Sequence, residues 1–154
     1  MSSDQGAAPR EGLVKHYFDN GRLCCEATYR EGVREGAGRM YYTTGVLYAT
    51  ETYARDMLNG PTVTYYETGV VQSELSYVDG QLDGVAREYY SDGRLESEAE
   101  YRAGKRHGRC VVYDRAGHVE RTERWEDGSL VDPSAAEKPA TGAEAPAPEE
   151  PPAG

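Results

Sequence analysis

The sequence predicts an all-β protein: an elongated single-layer antiparallel sheet built from five stacked 24-residue β-hairpin repeats. Gly21, Gly45, Gly69, Gly93 and Gly117 recur every 24 residues without an insertion, a period in the range of stacked-repeat proteins. Tyr17, Tyr41, Tyr65, Tyr89 and Tyr113 stand four residues before each glycine, and Leu23, Leu47, Val71, Leu95 and Val119 two after it. Runs such as PTVTYY and VVQSELSY are rich in aromatic and β-branched residues or alternate apolar with polar. Such runs fit a pleated surface, and none has a helical period.

Residues 1–10 are expected to form a flexible N-terminal segment and residues 11–132 the array. Gly12, Gly36, Gly60, Gly84 and Gly108 open the units, and each first strand runs to its tyrosine. The segments DNG, TTG, ETG, SDG and RAG then fit a three-residue loop, a type I turn whose glycine supplies a left-handed bulge residue. A two-residue turn would also suit DNG and SDG, but Thr or Ala before the glycine in the other units resists positive φ. In the three-residue register each tyrosine pairs with the Leu or Val two after the glycine, making an apolar face. That face is expected to continue through Cys25, Ala49, Ser73 and Ser97 to Tyr29, Tyr53, Tyr77, Tyr101 and Trp125. A third glycine series, Gly32, Gly80, Gly104 and Gly128, lapses only at Asp56. The fifth unit reads as a cap: Asp114 replaces an aromatic residue, Trp125 replaces Tyr, and Asp132 stands where another opening glycine would fall. Residues 133–154, rich in Pro, Ala and Glu, have nothing large to bury and read as a disordered tail.

Composition narrows the function. The net charge of −10 opposes binding to nucleic-acid phosphates or anionic lipid and favours a basic partner. No stretch approaches the roughly 20 apolar residues of a membrane span, and the start lacks a secretory pattern, so a cytoplasmic location is expected. Cys24, Cys25 and Cys110 cannot all pair within one chain, and adjacent Cys24 and Cys25 are expected on opposite faces of a strand as reduced structural thiols. His16, His107 and His118 fall at three different repeat positions without metal-ligand spacing. No metal, cofactor or catalytic residue is expected. Carboxylates recur across units without a pocket or a unit-specific partner, which does not suit acid–base catalysis. KRHGR, residues 105–109, is a compact basic cluster expected in a loop.

The candidate site is a protein-binding surface. Glu96, Glu98 and Glu100 alternate along one strand and are expected on the face opposite the aromatic layer, with Glu88 directly across from Glu96. Glu74 extends the acidity, and Phe18, Tyr42, Tyr66 and Tyr90 form a parallel aromatic row. Tyr42, Tyr66 and Tyr90 would anchor a partner, while Glu74, Glu88, Glu96 and Glu98 would steer a basic one. The same pattern also suits the solvated side of any antiparallel sheet.

The recurring YY-x-x-G-x-L…E…Y-x-x-G-x-x-x-G, in register over residues 11–132, resembles the MORN type 2 repeat, known from bacterial YwqK-type antitoxins. The resemblance implies antiparallel hairpins used for protein interaction without catalysis, in an antitoxin or immunity-type protein that masks a basic toxin or effector. A scaffold binding several protein clients is the alternative, and exposed sheet edges leave self-association open.

Overall fold

The computed structural model describes residues 8–132; the expected tail, residues 133–154, and most of the N-terminal segment lie outside the described residues. The first hairpin joins β1 (Gly12–Tyr17) to β2 (Leu23–Arg30), and the second joins β3 (Val33–Tyr41) to β4 (Leu47–Ala54). In the third, β5 (Met57–Leu58) and β6 (Gly60–Tyr65) precede β7 (Val71–Val78). The fourth comprises β8 (Gln81–Leu82), β9 (Gly84–Tyr89) and β10 (Leu95–Arg102), and the fifth β11 (Lys105–Tyr113) and β12 (Val119–Glu126), followed by β13 (Ser129–Asp132). All thirteen strands form one open antiparallel sheet, in chain order apart from β5 on β4 and β8 on β7. The fold is the all-β hairpin array expected from the sequence. KRHGR is not a loop as expected: it opens β11, where Arg106 lies 5.1 Å from the centre of the Trp125 ring.

The hairpin register follows the glycines. Tyr17, Tyr41, Tyr65, Tyr89 and Tyr113 pair with Leu23, Leu47, Val71, Leu95 and Val119. In the fourth unit Tyr90 N–H donates to Arg94 O at 2.8 Å and Gly93 N–H to Tyr90 O at 2.9 Å, closing a three-residue loop with Gly93 at φ 89°. That left-handed conformation is why the glycine is repeated. Tyr65, Val71, Tyr89 and Leu95 form the core cluster, with Leu47, Val63 and Tyr113 packed against it.

Just beyond each loop the register slips by one residue, so that His16 pairs with Cys25, Met40 with Ala49, Thr64 with Ser73, Glu88 with Ser97 and Val112 with Arg121. Cys24, Tyr48, Gln72, Glu96 and Glu120 are therefore bulge residues. Because side chains alternate with a period of two, one inserted residue moves everything after it to the other face. The expected continuous aromatic face is thus corrected. Tyr89 and Leu95 share a core face, whereas Ser97, Ala99 and Tyr101 lie on the opposite, groove face. Cys24 is the bulge residue and Cys25 follows it opposite His16, and neither is in a disulfide.

The units are joined to one another by two-residue turns with both residues at positive φ, as in Asp79 (48°) and Gly80 (81°). Gly80 N–H bonds back to Leu58 O at 2.8 Å, and Gly104 N–H to Leu82 O at 2.8 Å, so each turn is hung on the preceding unit. Asp56 holds the glycine position at φ 67°. Its carboxylate accepts Arg34 N–H at 2.8 Å and Arg34 Nε–H at 3.2 Å, which offsets the roughly 1–2 kcal/mol cost of a left-handed non-glycine residue. These bonds hold its carboxyl below the usual range.

Candidate functional site

Each predicted site residue belongs to one of the repeat rows, and the bulge divides them between the two faces. Glu98 is on the core face, not opposite it: it pairs with Arg87 across the hairpin and accepts the Arg87 Nε–H at 2.7 Å. Glu74 is on the same face, where it accepts the Tyr89 hydroxyl at 2.7 Å. Burial first, and then this bond, push the Tyr89 phenol far up. Glu26, only 9% exposed, repeats the arrangement one end earlier, between Arg39 at 3.3 Å, Tyr41 Oη at 3.4 Å and Lys15 at 3.8 Å. Of the carboxylates five residues after the hairpin glycine, Glu26 and Glu74 thus link consecutive units, while Glu98 is paired within its own hairpin.

In the second and fifth units the carboxylate stands one residue later, and that single step puts it on the other face. Glu51 takes the Tyr53 hydroxyl, and Glu123 takes Trp125 Nε1–H at 3.0 Å. Burial, then the Glu51 bond, push the Tyr53 phenol up to about 12.

Tyr42, Tyr66 and Tyr90 stay together in a row along the groove face, half-buried. Their hydroxyls donate to the carbonyls of Tyr65, Tyr89 and Tyr113 in the next unit, at 2.7, 2.7 and 2.8 Å. The row stitches units together while leaving ring surface at the edge. Tyr48 packs edge-on to Tyr42 at 5.1 Å, and Arg115 lies 4.7 Å from the centre of the Tyr90 ring.

Glu88 and Glu96 share the groove face but are not opposite each other. The bulge gives Glu88 the neutral partner Ser97, whose hydroxyl donates to it at 3.3 Å. The like-charge clash expected from the sequence is thereby avoided. Both glutamates line an open groove of about 350 Å³ with a floor of Ala86, Ala99 and Cys110 and a wall of Tyr101. Arg106 and Arg121 stand on its rim. A second groove of about 140 Å³ lies at the other end of the face, around Cys25, Met40 and Tyr53.

A further row was missed in the sequence. Glu11, Glu35 and Asp83, each just before an opening glycine, accept the turn N–H groups of Glu31, Arg55 and Ala103 in the same unit at 2.9, 2.9 and 3.0 Å. Their signal was present: an acceptor side chain recurs there every 24 residues.

Comparison with known families agrees with this geometry. Residues 10–31, 34–54, 58–79 and 82–103 match the MORN repeat variant, and residues 98–119 match the MORN repeat. The chain belongs to the MORN repeat variant family. No curated protein matches the chain. MORN repeats are non-catalytic modules that bind proteins or membranes. The variant's matches end at residue 103, and the MORN match, which overlaps the last of them, carries Asp114. There Asp114, lacking a ring, instead accepts the N–H groups of Ala116 and His118 in its own loop, each at 2.9 Å.

Proposed function

We propose that this protein is a non-enzymatic, cytoplasmic binding module that masks a basic protein, in the manner of an antitoxin or immunity protein of the YwqK type. The observation that carries the reading is the groove of the fourth and fifth units. It is open, has a floor of small apolar side chains, and keeps Glu88 and Glu96 at its side while Glu74 and Glu98 are occupied by Tyr89 and Arg87. A small-residue floor admits an extended segment, an adjacent aromatic row adds anchoring area, and two carboxylates favour a cationic one. Tyr42, Tyr66 and Tyr90 present their rings along the same face, and the steering falls to Glu88 and Glu96.

A second reading has its own observation. Two grooves at opposite ends of one face suit an adaptor that holds more than one client.

The test is parallel affinity capture from native cells with the wild-type chain and with a Glu88→Lys/Glu96→Lys chain, at low and high salt. One basic partner held at a fixed ratio by the wild type and lost by the variant is the expected result. Equal capture of the same protein by both chains would overturn the masking mechanism, and several clients in variable ratio would favour the adaptor.

A further inference from the structure

Strand pairing places one residue from each long strand in a single row across the sheet, from His16 on β1 to Arg121 on β12. The row has one carboxylate, Glu88, and one guanidinium, Arg121. They stand three strands apart: Glu88 on β9 pairs with Ser97 on β10, Ser97 with Val112 on β11, and Val112 with Arg121 on β12. All four line the groove of the fourth and fifth units. Its floor is the neighbouring row of Ala86, Ala99 and Cys110, directly opposite one another and only 8%, 6% and 4% exposed. The groove therefore runs across the strands, along the array. Glu88 and Glu96 make its fourth-unit end negative, and Arg121 makes its fifth-unit end positive.

We infer that the groove takes an extended segment laid across the strands, which carries a Lys or Arg and, four residues away, an Asp or Glu. The cation sits over Glu88 and Glu96 and the carboxylate over Arg121. Neighbouring strands are about 4.8 Å apart, so three steps separate Glu88 from Arg121 by about 14 Å. An extended chain advances about 3.4 Å per residue and returns to the same face every second one, so residues four apart match that span and point the same way. Ser97 and Val112 between the two charges are neutral, which leaves the middle of the segment without a charge requirement.

Arg121 is held for this task. Its Nε lies 2.7 Å from Glu123 Oε1, which fixes the side chain at the rim. A guanidinium carries five N–H donors, so that pair leaves it able to take a second carboxylate. Arg106, the other arginine of the groove, is engaged elsewhere, with its Nε–H on the Tyr101 hydroxyl at 3.3 Å and its guanidinium over Trp125. A uniformly basic segment would set a cation against Arg121, so the groove discriminates against it and fixes the register of the one it accepts. The inference rests on the masking role proposed above and narrows the partner from any cationic segment to one with this charge pair.

The test pans a displayed library of random twelve-residue peptides on the immobilised full chain at low salt. Among the selected peptides, a cation with an acidic residue four positions away should be enriched about fivefold over the unselected library, the worth of one partly exposed ion pair. Arg121→Gln should abolish the preference for the acidic residue while keeping that for the cation, and Arg121→Glu should select cations at both positions. The Arg121 side chain is 54% exposed, so neither substitution opens a cavity. Acidic residues enriched at no fixed distance, or a preference unchanged in Arg121→Gln, would overturn the inference. Cations enriched without an acidic residue would overturn it too but leave the masking role standing. Selection without cations, or no selection at all, would overturn both.

Discussion

Tyr17 and Tyr89 occupy the same position of the repeat and make the same cross-strand pair, with Leu23 and Leu95. Yet Tyr17 is 61% exposed and Tyr89 3%. The hairpin alone therefore does not bury its apolar pair; a neighbour on each side does. Tyr89 has the third unit's Glu74 on its hydroxyl and shares its cluster with Val71 and Tyr65, whereas among the described residues no strand precedes β1 in the sheet. In an array of this kind stability is a sum over units and nearest-neighbour interfaces, so identical residues differ in worth by their place in the stack.

The largest expected effect follows from that contrast. Leu95 is 1% exposed and Leu13 57%. Leu95→Ala should lower unfolding stability by about 2–5 kcal/mol through lost burial and a residual cavity. Leu13→Ala should change it by under about 0.5 kcal/mol. Urea unfolding of the two variants decides the matter, and comparable losses would mean that the first unit is as firmly held as the fourth.

A smaller effect separates stitched from unstitched units. The hydroxyl of Tyr66 bonds to the Tyr89 carbonyl, while Phe18, at the same position in the first unit, has no hydroxyl. Tyr66→Phe should cost about 1 kcal/mol, the usual net worth of one hydrogen bond. Phe18→Tyr should move the other way by a fraction of that, since a terminal unit is only partly ordered by its neighbour. The difference between the two unfolding midpoints measures how much of the stack depends on this row. If Tyr66→Phe is neutral, the row is available to a partner without cost to the array.

What the sequence revealed and what it hid divide at the bulge. The loop, the Tyr–Leu pairs and the array order were legible because each is marked by a residue type that one geometry demands: glycine at positive φ, and aromatic opposite aliphatic. The bulge was not, because Cys24, Tyr48, Gln72, Glu96 and Glu120 share no chemistry. Nothing at that position needs a particular side chain, only an extra residue of backbone. Missing it reversed the phase of each second strand. Glu74 and Glu98 were consequently assigned to the solvated face, although they sit among the core tyrosines, while Glu88 and Glu96, near the bulge, kept the face expected of them. The acceptor row of Glu11, Glu35 and Asp83 was legible in principle. It required asking where the turn N–H groups find partners rather than which residues look functional.

A pH-dependent effect compares the two faces through a half-buried phenol on one and a buried phenol on the other. Tyr53 on the groove face is held up at about 12 against an ordinary 10, by burial and by its bond to Glu51. Tyr89 on the core face is raised further, by burial and by Glu74. A phenol raised in the folded state stays protonated there after the unfolded chain has lost its proton. Stability is therefore unaffected below the unfolded value and falls as pH rises through the folded one. For Tyr53 that window runs from about pH 10 to about pH 12. Urea midpoints measured across it should decline for the wild type and decline less steeply for Tyr53→Phe, with the two curves parallel below the window. If Tyr53→Phe falls as steeply as the wild type, the alkaline loss originates on the core face, where Tyr89→Phe would flatten it at the added cost of leaving Glu74 without its hydroxyl donor.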